Sequence, residues 1–473
     1  MGLGLAARLP EIDQPIVRFH PTRHYRSAVL ARACYADHAA GVPEWAKRVA
    51  QANREMQQAG ELPIMEWLAC GAYLVSGGEN VAIPRIAAVL IWVSGAIPVW
   101  LLARRLAGDL AAPLAAALFL FLPYGIVASR NFQPDPLMTV TSLWALHALV
   151  RHHDHPSRSH FVTAAALIGA AGLVKPMSVF VTVPAALVLE TRLTLHLRTM
   201  VRAAALLAAG LAAPALYYGY SAVAGSLVRD QMRMRFEPHL LSSTFFWGGM
   251  TDMVSRVHTI PMFVIAAGAM LVAPDRLTRR VLAALFAGYL AFAVVFTYHM
   301  PTHDYYHLPY LPIVAIGVAA FAARFAARVP AWGVYLVCAM VAVAGVLRAL
   351  PRLQVDDAAV YAQIYEEIGA LAEHEVKALF LDTEYGFALM YHAQISGDSW
   401  PNQDDLAAEA IDGRVAIDAE TRFLRDYADW QPTHFIVTDL ASFDASPDLH
   451  RLLDRRATPI RITDRYRVYR FTR

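Results

Sequence analysis

The sequence predicts an all-α, multi-pass membrane domain of about ten spans, followed by a small α/β domain outside the membrane. Composition and patterning lead to this prediction. Of the 473 residues, 57% are hydrophobic and only 17% are charged, and the mean hydropathy is +0.38. The apolar residues form long blocks that short basic loops separate. This pattern excludes an ordinary soluble enzyme and places most of the chain in a lipid bilayer.

Residues 1–80 are predicted to form an exoplasmic loop with surface helices. Apolar residues recur at helical spacing in 45–59, which suits either a helix on the membrane surface or a packed surface helix. Residues 1–10 are too short for the apolar core of a signal peptide, and we expect them to be the tail of a first span that is missing from the chain. Cys34 and Cys70 can form a disulfide only if this loop is exoplasmic.

Residues 81–350 are predicted to form the transmembrane helical domain. Its hydrophobic runs are 84–103, 110–128, 137–150, 161–174, 177–190, 201–223, 256–273, 281–298, 308–323 and 331–349. Two of them, 161–174 and 177–190, are short and meet at Lys175-Pro176, which indicates two short or tilted helices joined by a tight turn.

The basic residues predict the orientation of these runs. They follow alternate spans, as the positive-inside rule requires of cytoplasmic loops. They are Arg104, Arg105, Arg151, Arg158, Arg192, Arg198, Arg202, Arg276, Arg279, Arg280, Arg324 and Arg328. Residues 1–80, 129–136, 224–255 and 299–307, Lys175 and the chain after about 350 then face the other side. In a bacterial inner membrane that side is the periplasm.

Residues 351–473 are predicted to form the small α/β exoplasmic domain. A helix is expected over 356–374, and buried or alternating strands over 377–382, 434–439 and 465–471. The segment has no glycine-rich phosphate loop and no nucleophile elbow, so we expect it to support the membrane domain or to recognise the acceptor.

Residues 129–138 place two charges, Arg130 and Asp135, in a short gap between two apolar runs. A charge at the edge of the hydrocarbon costs a few kcal/mol unless it is paired, hydrated or in use. Pro136 suits the first turn of a new helix. We therefore predict that Asp135 caps this helix and faces the space above the membrane.

Other unusual polar residues fall on the same predicted side. Basic residues there run against the positive-inside trend, and an anionic phosphate at the membrane surface would explain them, although each alone could be a snorkelling or interfacial residue. The candidate binding residues are His20, Arg23, Tyr25, Arg26, Arg130, Lys175, Arg233, Arg235, His303, Tyr305 and Tyr306. His303 and Asp304 are also weak candidates for a divalent cation site, and no cofactor is certain.

Several segments together resemble the GT-C-type integral-membrane glycosyltransferases of the protein O-mannosyltransferase and lipid A aminoarabinose transferase group. They are FHPTRHYRSAVLAR (19–32), LPIMEWL (62–68), RNFQPDPLM (130–138), LVKP (173–176) and THDYYHLP (302–309). The resemblance covers about residues 1–350. It implies a catalytic carboxylate in the first exoplasmic loop and a second acidic residue, Asp135, at the next. The family's adjacent acidic pair is absent from the first loop, where Asp13 is the nearest carboxylate, with Glu11 behind it.

The resemblance implies transfer of a sugar, with inversion, from a polyprenyl-phosphate donor to an exoplasmic lipid, glycan or protein acceptor. The residues fit that chemistry. A phosphate leaving group needs positive charge rather than a general acid, and one carboxylate, Asp13, suffices to take the acceptor's proton. A transporter or flippase for an anionic lipid or solute, and an inactive membrane scaffold, are the alternatives. No feature indicates a nucleic-acid partner.

Overall fold

The computed structural model describes residues 1–16, 19–57, 60–192, 196–223, 236–273, 275–326, 330–354, 357–383, 385–411 and 413–472. The chain divides into two compact units. The helical unit comprises residues 1–12, 59–64 and 85–354, and the mixed unit comprises 13–58, 65–84 and 355–473. Segments from both halves of the sequence therefore build the mixed unit together, whereas the sequence analysis treats them as two domains. Arg233 and Arg235 lie outside the described residues.

Helices make up the helical unit. They are Gly2–Ala6, Ala82–Ser94, Ala96–Ala107, Ala111–Phe121, Pro123–Ala128, Asp135–Asp154, Arg158–Val174, Val179–Thr191, Leu197–Val223, Thr244–Val257, Ile260–Val272, Arg276–Val295, Leu311–Ala326 and Ala331–Leu353, with short 3₁₀ turns at Pro176–Ser178, Pro238–Ser242 and Asp304–Tyr310. The mostly helical fold predicted from the sequence is confirmed.

Five helical stretches among the described residues are long and apolar enough to cross a membrane. They are Ala82–Ala107, Leu197–Val223, Arg276–Val295, Asp304–Phe325 and the helix that begins at Ala331. Shorter apolar helices, such as Arg158–Val174, occupy other predicted runs. These five stretches are fewer than the ten hydrophobic runs of the sequence. The number of about ten membrane spans therefore stays a prediction.

The predicted run over about 256–273 contains the helix Ile260–Val272, and a sharp bend precedes that helix. Thr244–Val257 and Ile260–Val272 are separate helices that meet at an angle of 94°. Thr259, at the break, has a φ of 64°, which a right-handed helix does not allow. Arg256, His258 and Pro261 interrupt the apolar pattern around this break.

Glycines allow close helix contacts in the helical unit. A Cβ atom on Gly288 would lie 2.0 Å from the Phe180 carbonyl oxygen, and one on Gly169 would lie 2.8 Å from the Gly210 carbonyl oxygen. Small residues of this kind let helix backbones approach each other in membrane proteins. The contact of Gly288 with Phe180 fixes the helix that follows Lys175 against the helix Arg276–Val295.

The mixed unit contains a five-stranded sheet in the order β2-β1-β3-β5-β4. Its strands are β1 Ala378–Leu381, β2 Gly397–Ser399, β3 His434–Val437, β4 Ala457–Ile462 and β5 Arg467–Phe471. Strands β2, β1 and β3 run parallel, and β5 is antiparallel to both β3 and β4. Its helices are Pro21–His38, Glu44–Met56, Ile64–Ser76, Ala358–Leu371, Phe387–Ala393, Gln403–Ile411, Ala419–Arg422, Leu440–Asp444 and Pro447–Arg456, with one π turn at Phe423–Tyr427 and one 3₁₀ turn at Ala428–Trp430. The predicted C-terminal strands are confirmed.

Both faces of the central strands β1 and β3 are buried, as continuous apolar strands predict. Leu379 and Phe435 contribute to a cluster on one face, and Phe380 and Ile436 to a cluster on the other. Val29, from the helix Pro21–His38, belongs to the second cluster. The first loop of the sequence is therefore part of the core of the mixed unit.

The amphipathic segment 45–59 contains a packed helix, Glu44–Met56. Val49 and Ala50 are buried, the Trp45 ring stacks on His374 at 4.2 Å, and Asn53 donates to the Ile395 carbonyl oxygen at 3.0 Å. Of the two alternatives that the pattern left open, the structure favours the packed surface helix.

A disulfide joins Cys34 to Cys70, 36 residues further along the chain. It connects the helices Pro21–His38 and Ile64–Ser76 within the mixed unit. This is the pairing that an exoplasmic location allows, because disulfides persist in oxidising compartments. Cys338 is a free thiol.

Candidate functional site

Asp135 begins the helix Asp135–Asp154 but does not cap it. Pro134 occupies the N-cap position, no side chain provides a cap hydrogen bond, and Pro136 lies in the first turn as predicted. The Asp135 side chain is 1% exposed. The prediction that it faces the space above the membrane is therefore wrong, because the carboxylate is engaged inside the helical unit.

The partner of Asp135 is Lys175. The Lys175 ammonium donates to both carboxylate oxygens of Asp135, at 2.8 and 3.0 Å. The lysine side chain is 2% exposed, so the two opposite charges neutralise each other away from water. Breaking such a pair from one side leaves an uncompensated buried charge, which makes the pair a fixed element of the site.

The turn after the helix Arg158–Val174 places Lys175. The lysine is extended, with φ −161° and ψ 127°, and the 3₁₀ turn Pro176–Ser178 follows it. A residue before proline is excluded from the helical region, so Pro176 ends the helix at Val174. The Lys-Pro sequence thus gives Lys175 its position between two apolar helices.

Glu61 is a third charged member that the sequence analysis missed. One of its carboxylate oxygens lies 3.5 Å from the Lys175 ammonium, and its side chain is 20% exposed. It immediately precedes the segment LPIMEWL, which was singled out from the sequence. Its proximity to that segment was the available signal. The three groups together carry two formal negative charges and one positive charge.

Tyr305 and Tyr306 face the same lysine. Their ring centres lie 5.3 and 5.6 Å from the Lys175 ammonium, within the range of a cation–π contact. Both tyrosines are buried. Next to them, the Tyr124 hydroxyl donates to Asp304 at 2.8 Å. The structure therefore brings Asp135, Lys175, Tyr305 and Tyr306 together around one cation.

The loop before Asp135 offers buried hydrogen-bond donors. Arg130 donates to the Pro10 carbonyl oxygen, but its Nε atom has no partner among the described residues, and neither does the Nε2 atom of Gln133. Both side chains are buried. Because a buried donor without a partner costs about 1–3 kcal/mol, these groups suit a ligand with acceptor oxygens.

Arg8 is a further buried cation close to this loop. Its guanidinium donates to the Ser129 hydroxyl at 2.7 Å and to the carbonyl oxygens of Gly4, Leu120 and Gly125 at 2.7, 2.8 and 3.4 Å. It therefore adds positive charge without a carboxylate to neutralise it, within the described part of the chain. The sequence analysis did not select Arg8, since a lone arginine near a chain end resembles an interfacial residue.

The candidates from the first loop belong to the mixed unit. Asp13 is exposed, His20 is the N-cap residue of the helix Pro21–His38, and Arg26 donates to Gln57 at 3.2 Å. Arg23 lies in the first turn of the same helix and is half-buried. These residues therefore belong to a folded part of the mixed unit.

Tyr25 links the segment after Asp13 to the C-terminal part of the mixed unit. Its hydroxyl oxygen accepts from the Ile16 backbone N–H at 3.0 Å and lies 2.9 Å from His392 Nε2. Burial, with a smaller contribution from Arg32, lowers the pKa of His392 to about 4. The neutral imidazole can therefore accept a hydrogen bond from the Tyr25 hydroxyl group. Together, these two hydrogen bonds hold the backbone at Ile16, three residues after Asp13.

The acids and histidines near Lys175 already have hydrogen-bond partners in the protein. Both oxygens of Asp135 are taken by Lys175, His303 is bonded to Thr302, and His307 is bonded to Tyr289 and to the Met300 carbonyl oxygen. In the described part of the chain, the one group of three potential ligands is Cys34, His38 and Cys70, and its thiols are joined in the disulfide. A divalent cation at His303 and Asp304 stays a prediction.

Residues 60–218 match the family model described as dolichyl-phosphate-mannose-protein mannosyltransferase. Among solved structures, ArnT from Cupriavidus metallidurans bound to undecaprenyl phosphate has a TM-score of 0.63 and 16% identity, covering 99% of this chain and 96% of ArnT. An oligosaccharyltransferase from Archaeoglobus fulgidus has a TM-score of 0.58 and 12% identity, covering 97% of this chain and 70% of that one. No curated protein sequence matches.

These comparisons show a likeness in fold and, over residues 60–218, in sequence. The resemblance to GT-C-type membrane glycosyltransferases that the sequence predicts is confirmed. The matched residues 60–218 include Glu61, Arg130, Asp135 and Lys175, so the family match contains the charged cluster. The chain is similar to the protein mannosyltransferases in sequence and to ArnT in fold.

Proposed function

We propose that this protein is a glycosyltransferase that moves a sugar, with inversion, from a polyprenyl-phosphate donor to an acceptor on the exoplasmic side of the membrane. The observation that carries the proposal is the buried pair of Asp135 and Lys175, with Glu61 beside it, within the segment that matches the mannosyltransferase family. The crystal structure of ArnT contains undecaprenyl phosphate, and this supports the same class of carrier here.

The reaction requires one nucleophilic displacement. The acceptor's hydroxyl oxygen, or another nucleophile, attacks the anomeric carbon of the sugar while the bond from that carbon to the phosphate oxygen breaks. The leaving phosphate takes the bonding electrons, and the acceptor's proton passes to a carboxylate. Since phosphate is a weak base, its departure needs cationic and hydrogen-bonding groups rather than a general acid.

Asp13 is the base that we propose. A base must be able to take up a proton, and the Asp13 carboxylate is exposed, whereas both oxygens of Asp135 already accept from Lys175. The hydrogen bonds that connect Ile16, Tyr25 and His392 support the segment that carries Asp13. Asp135 then serves as a positioning residue that fixes Lys175.

Arg130 is the best-supported phosphate ligand. Its buried Nε donor has no partner in the described chain, and a guanidinium binds phosphate oxygens in a bidentate manner. Lys175 was also predicted to bind the phosphate. Because two carboxylates surround its ammonium, we assign it the smaller share of that task and propose that it orients Asp135, Tyr305 and Tyr306.

Three separate substitutions test the proposal: Asp13→Asn, Glu61→Gln and Asp135→Asn. The assay measures transfer from radiolabelled undecaprenyl-phosphate sugars to an extract of envelope acceptors. Loss of the base should lower the rate about 10²–10⁴-fold, so Asp13→Asn should fall in that range. Glu44→Gln, which changes an exposed carboxylate of the mixed unit, is the matched control.

Full activity of both Asp13→Asn and Asp135→Asn would overturn the site assignment. If Glu61→Gln alone abolished transfer, the base would be Glu61 instead of Asp13. A buried ion pair is also what a transporter would contain. Accumulation of an anionic lipid in proteoliposomes without any covalent transfer would therefore replace the proposed activity with transport.

A further inference from the structure

A cavity of about 660 Å³ lies at the other end of the helices that carry Asp135 and Lys175. Residues at or near the helix ends line it, among them His152, Arg158, Phe161, Leu189, Arg192 and Arg202. Its volume lies in the range of about 300–1,000 Å³ that is typical of ligand sites. The proposed transfer reaction makes no use of this cavity.

The helices place the cavity across the membrane from the candidate active site. Arg158 begins the helix Arg158–Val174, and Lys175 follows directly after its last residue. Seventeen helical residues span about 25 Å, which is close to the hydrocarbon thickness of about 30 Å. Asp135 and His152 likewise lie in the first and last turns of one helix. The cavity therefore opens at the opposite membrane interface.

The cavity has an excess of positive charge. Arg158, Arg192 and Arg202 are exposed and have no ion pair in the part of the chain that the structure describes. Glu190 is the acidic residue of the lining, and it faces His152 at 3.5 Å. The Nδ1 atom of His152 is buried without a hydrogen-bond partner among the described residues.

Positive-inside orientation does not explain this arrangement by itself. Arg104 and Arg105, on the same predicted side, are paired with Asp109 and Asp154. Among the described residues, the arginines of the cavity lack such partners, and they line one concave surface. Apolar side chains, including Phe161, Val162 and Leu189, complete the lining. A ligand with an anionic head and an apolar body matches both parts.

We propose that this cavity binds the phosphate headgroup of an anionic membrane phospholipid. Arginine forks bind phosphate oxygens, basic pockets at this level between membrane helices suit anionic lipid headgroups, and the apolar part of the lining accommodates the start of the acyl chains. The site is distinct from the carrier-lipid site of the proposed function and lies on the other membrane face.

Native mass spectrometry of the purified full-length protein tests the proposal. The protein is titrated with phosphatidylglycerol, phosphatidylcholine, undecaprenyl phosphate and inorganic phosphate. Wild type should prefer phosphatidylglycerol. Because each arginine near an anionic lipid contributes about fivefold to the affinity, Arg158→Gln/Arg202→Gln should weaken that binding by roughly 25-fold.

The matched control is Arg151→Gln/Arg198→Gln. It removes the same charge from neighbouring positions, Arg151 in the last turn of Asp135–Asp154 and Arg198 in the first turn of Leu197–Val223, but neither residue lines the cavity. Its affinity for phosphatidylglycerol should stay within about twofold of wild type. Arg158→Lys/Arg202→Lys keeps the charge and should retain more binding than the glutamine pair. Thermal unfolding of all variants verifies that they fold.

Equal losses in the cavity variant and the control would show general charge attraction and overturn the proposal. Preference for undecaprenyl phosphate, or displacement of the lipid by inorganic phosphate at comparable concentration, would also overturn it. Since the readout is lipid binding at this face, the result does not depend on whether the transfer activity is found.

Discussion

The ammonium of Lys175 and the carboxylate of Asp135 form a two-pronged hydrogen-bonded ion pair, with distances of 2.8 and 3.0 Å, in a part of the helical unit that excludes water. Forty residues separate the two along the chain. The pair joins the start of one apolar helix to the end of the next. Its geometry explains why each charge is tolerated where it lies.

Removing one member of this pair should destabilise the protein more than removing both. Asp135→Asn and Lys175→Met should each lower the free energy of unfolding, by about 3–5 kcal/mol for a fully buried pair. Lys175→Met should cost more, because it leaves Asp135 and Glu61 without their cation, whereas Asp135→Asn leaves Glu61 at Lys175. Thermal or denaturant unfolding in detergent measures the effects.

The double variant Asp135→Asn/Lys175→Met completes this cycle. Its cost should be clearly less than the sum of the two single costs, because the fully buried Asp135 is then neutral and only Glu61, which is 20% exposed, loses its cation. Glu44→Gln provides a surface control. Additive effects of the two substitutions would show that the pair contributes no coupling.

The free energy of unfolding of the mixed unit should fall as the pH is lowered, because His392 is protonated more readily in the unfolded chain. Burial lowers its pKa in the folded protein to about 4, against about 6.5 in an unfolded chain. The unfolded state therefore binds a proton first as the pH falls, and the stabilising effect, complete above about pH 6.5, is lost between about pH 6.5 and 4. The shift corresponds to about 3 kcal/mol as an order of magnitude.

The measurement is thermal unfolding from pH 7.5 to 4.0 for wild type and His392→Gln. The glutamine keeps a polar partner for Tyr25 but does not titrate, so the variant should lose less stability over this interval. Carboxylates elsewhere titrate equally in both proteins and cancel in the difference. Parallel curves for the two proteins would contradict the assignment.

Reduction of the disulfide should destabilise the mixed unit. Cys34 and Cys70 close a loop with a separation of 36 residues, for which chain entropy predicts about 3–4 kcal/mol. Wild type should unfold at a lower temperature in the presence of a phosphine reductant. Cys34→Ser/Cys70→Ser should unfold at a low temperature with or without it.

Cys338→Ser is the control for this experiment, because Cys338 is a free thiol in the helical unit. It should behave as wild type in both conditions. A reductant effect that persists in Cys34→Ser/Cys70→Ser would assign the destabilisation to something other than this disulfide.

Gly288→Ala should destabilise the helical unit, because the added methyl group would lie 2.0 Å from the Phe180 carbonyl oxygen. A backbone atom cannot move aside cheaply, so a cost of at least about 1–3 kcal/mol is expected. Gly219→Ala is the matched control, since its Cβ would meet no atom within 4 Å. It should be neutral or stabilising by up to about 1 kcal/mol, and equal behaviour of the two variants would refute the close contact.

Local patterns predicted the elements of this fold well. Alternating or continuous apolar residues identified β1, β3 and β5, and hydropathy identified the helices that flank Asp135. Prolines placed Asp135 and Lys175 at helix ends. The sequence did not predict the pairing of these two residues, which lie forty positions apart. Each residue had a separate predicted role, helix capping for Asp135 and phosphate binding for Lys175, that explained its position without the other.

Long-range contacts account for the rest of what the sequence did not predict. Tyr25 and His392 are 367 residues apart, so no local period relates them, and the shared unit of the first loop and the C-terminal segment could not be derived. Glu61 was missed for the same reason. The bend at Thr259 was not predicted, although His258 and Pro261 interrupt the apolar pattern there.

The mixed unit is built from segments at both ends of the chain, and this affects the order in which its parts are synthesised. Residues 13–58 and 65–84 are synthesised early, but the sheet on which their helices pack comes from residues after 355, beyond the intervening segment 85–354. At about 5–20 residues per second, translation of that segment takes roughly 15–55 s. During this interval the early helices expose the apolar side chains that later enter the sheet core. Their packing against the sheet can be completed only after the last strand has been synthesised.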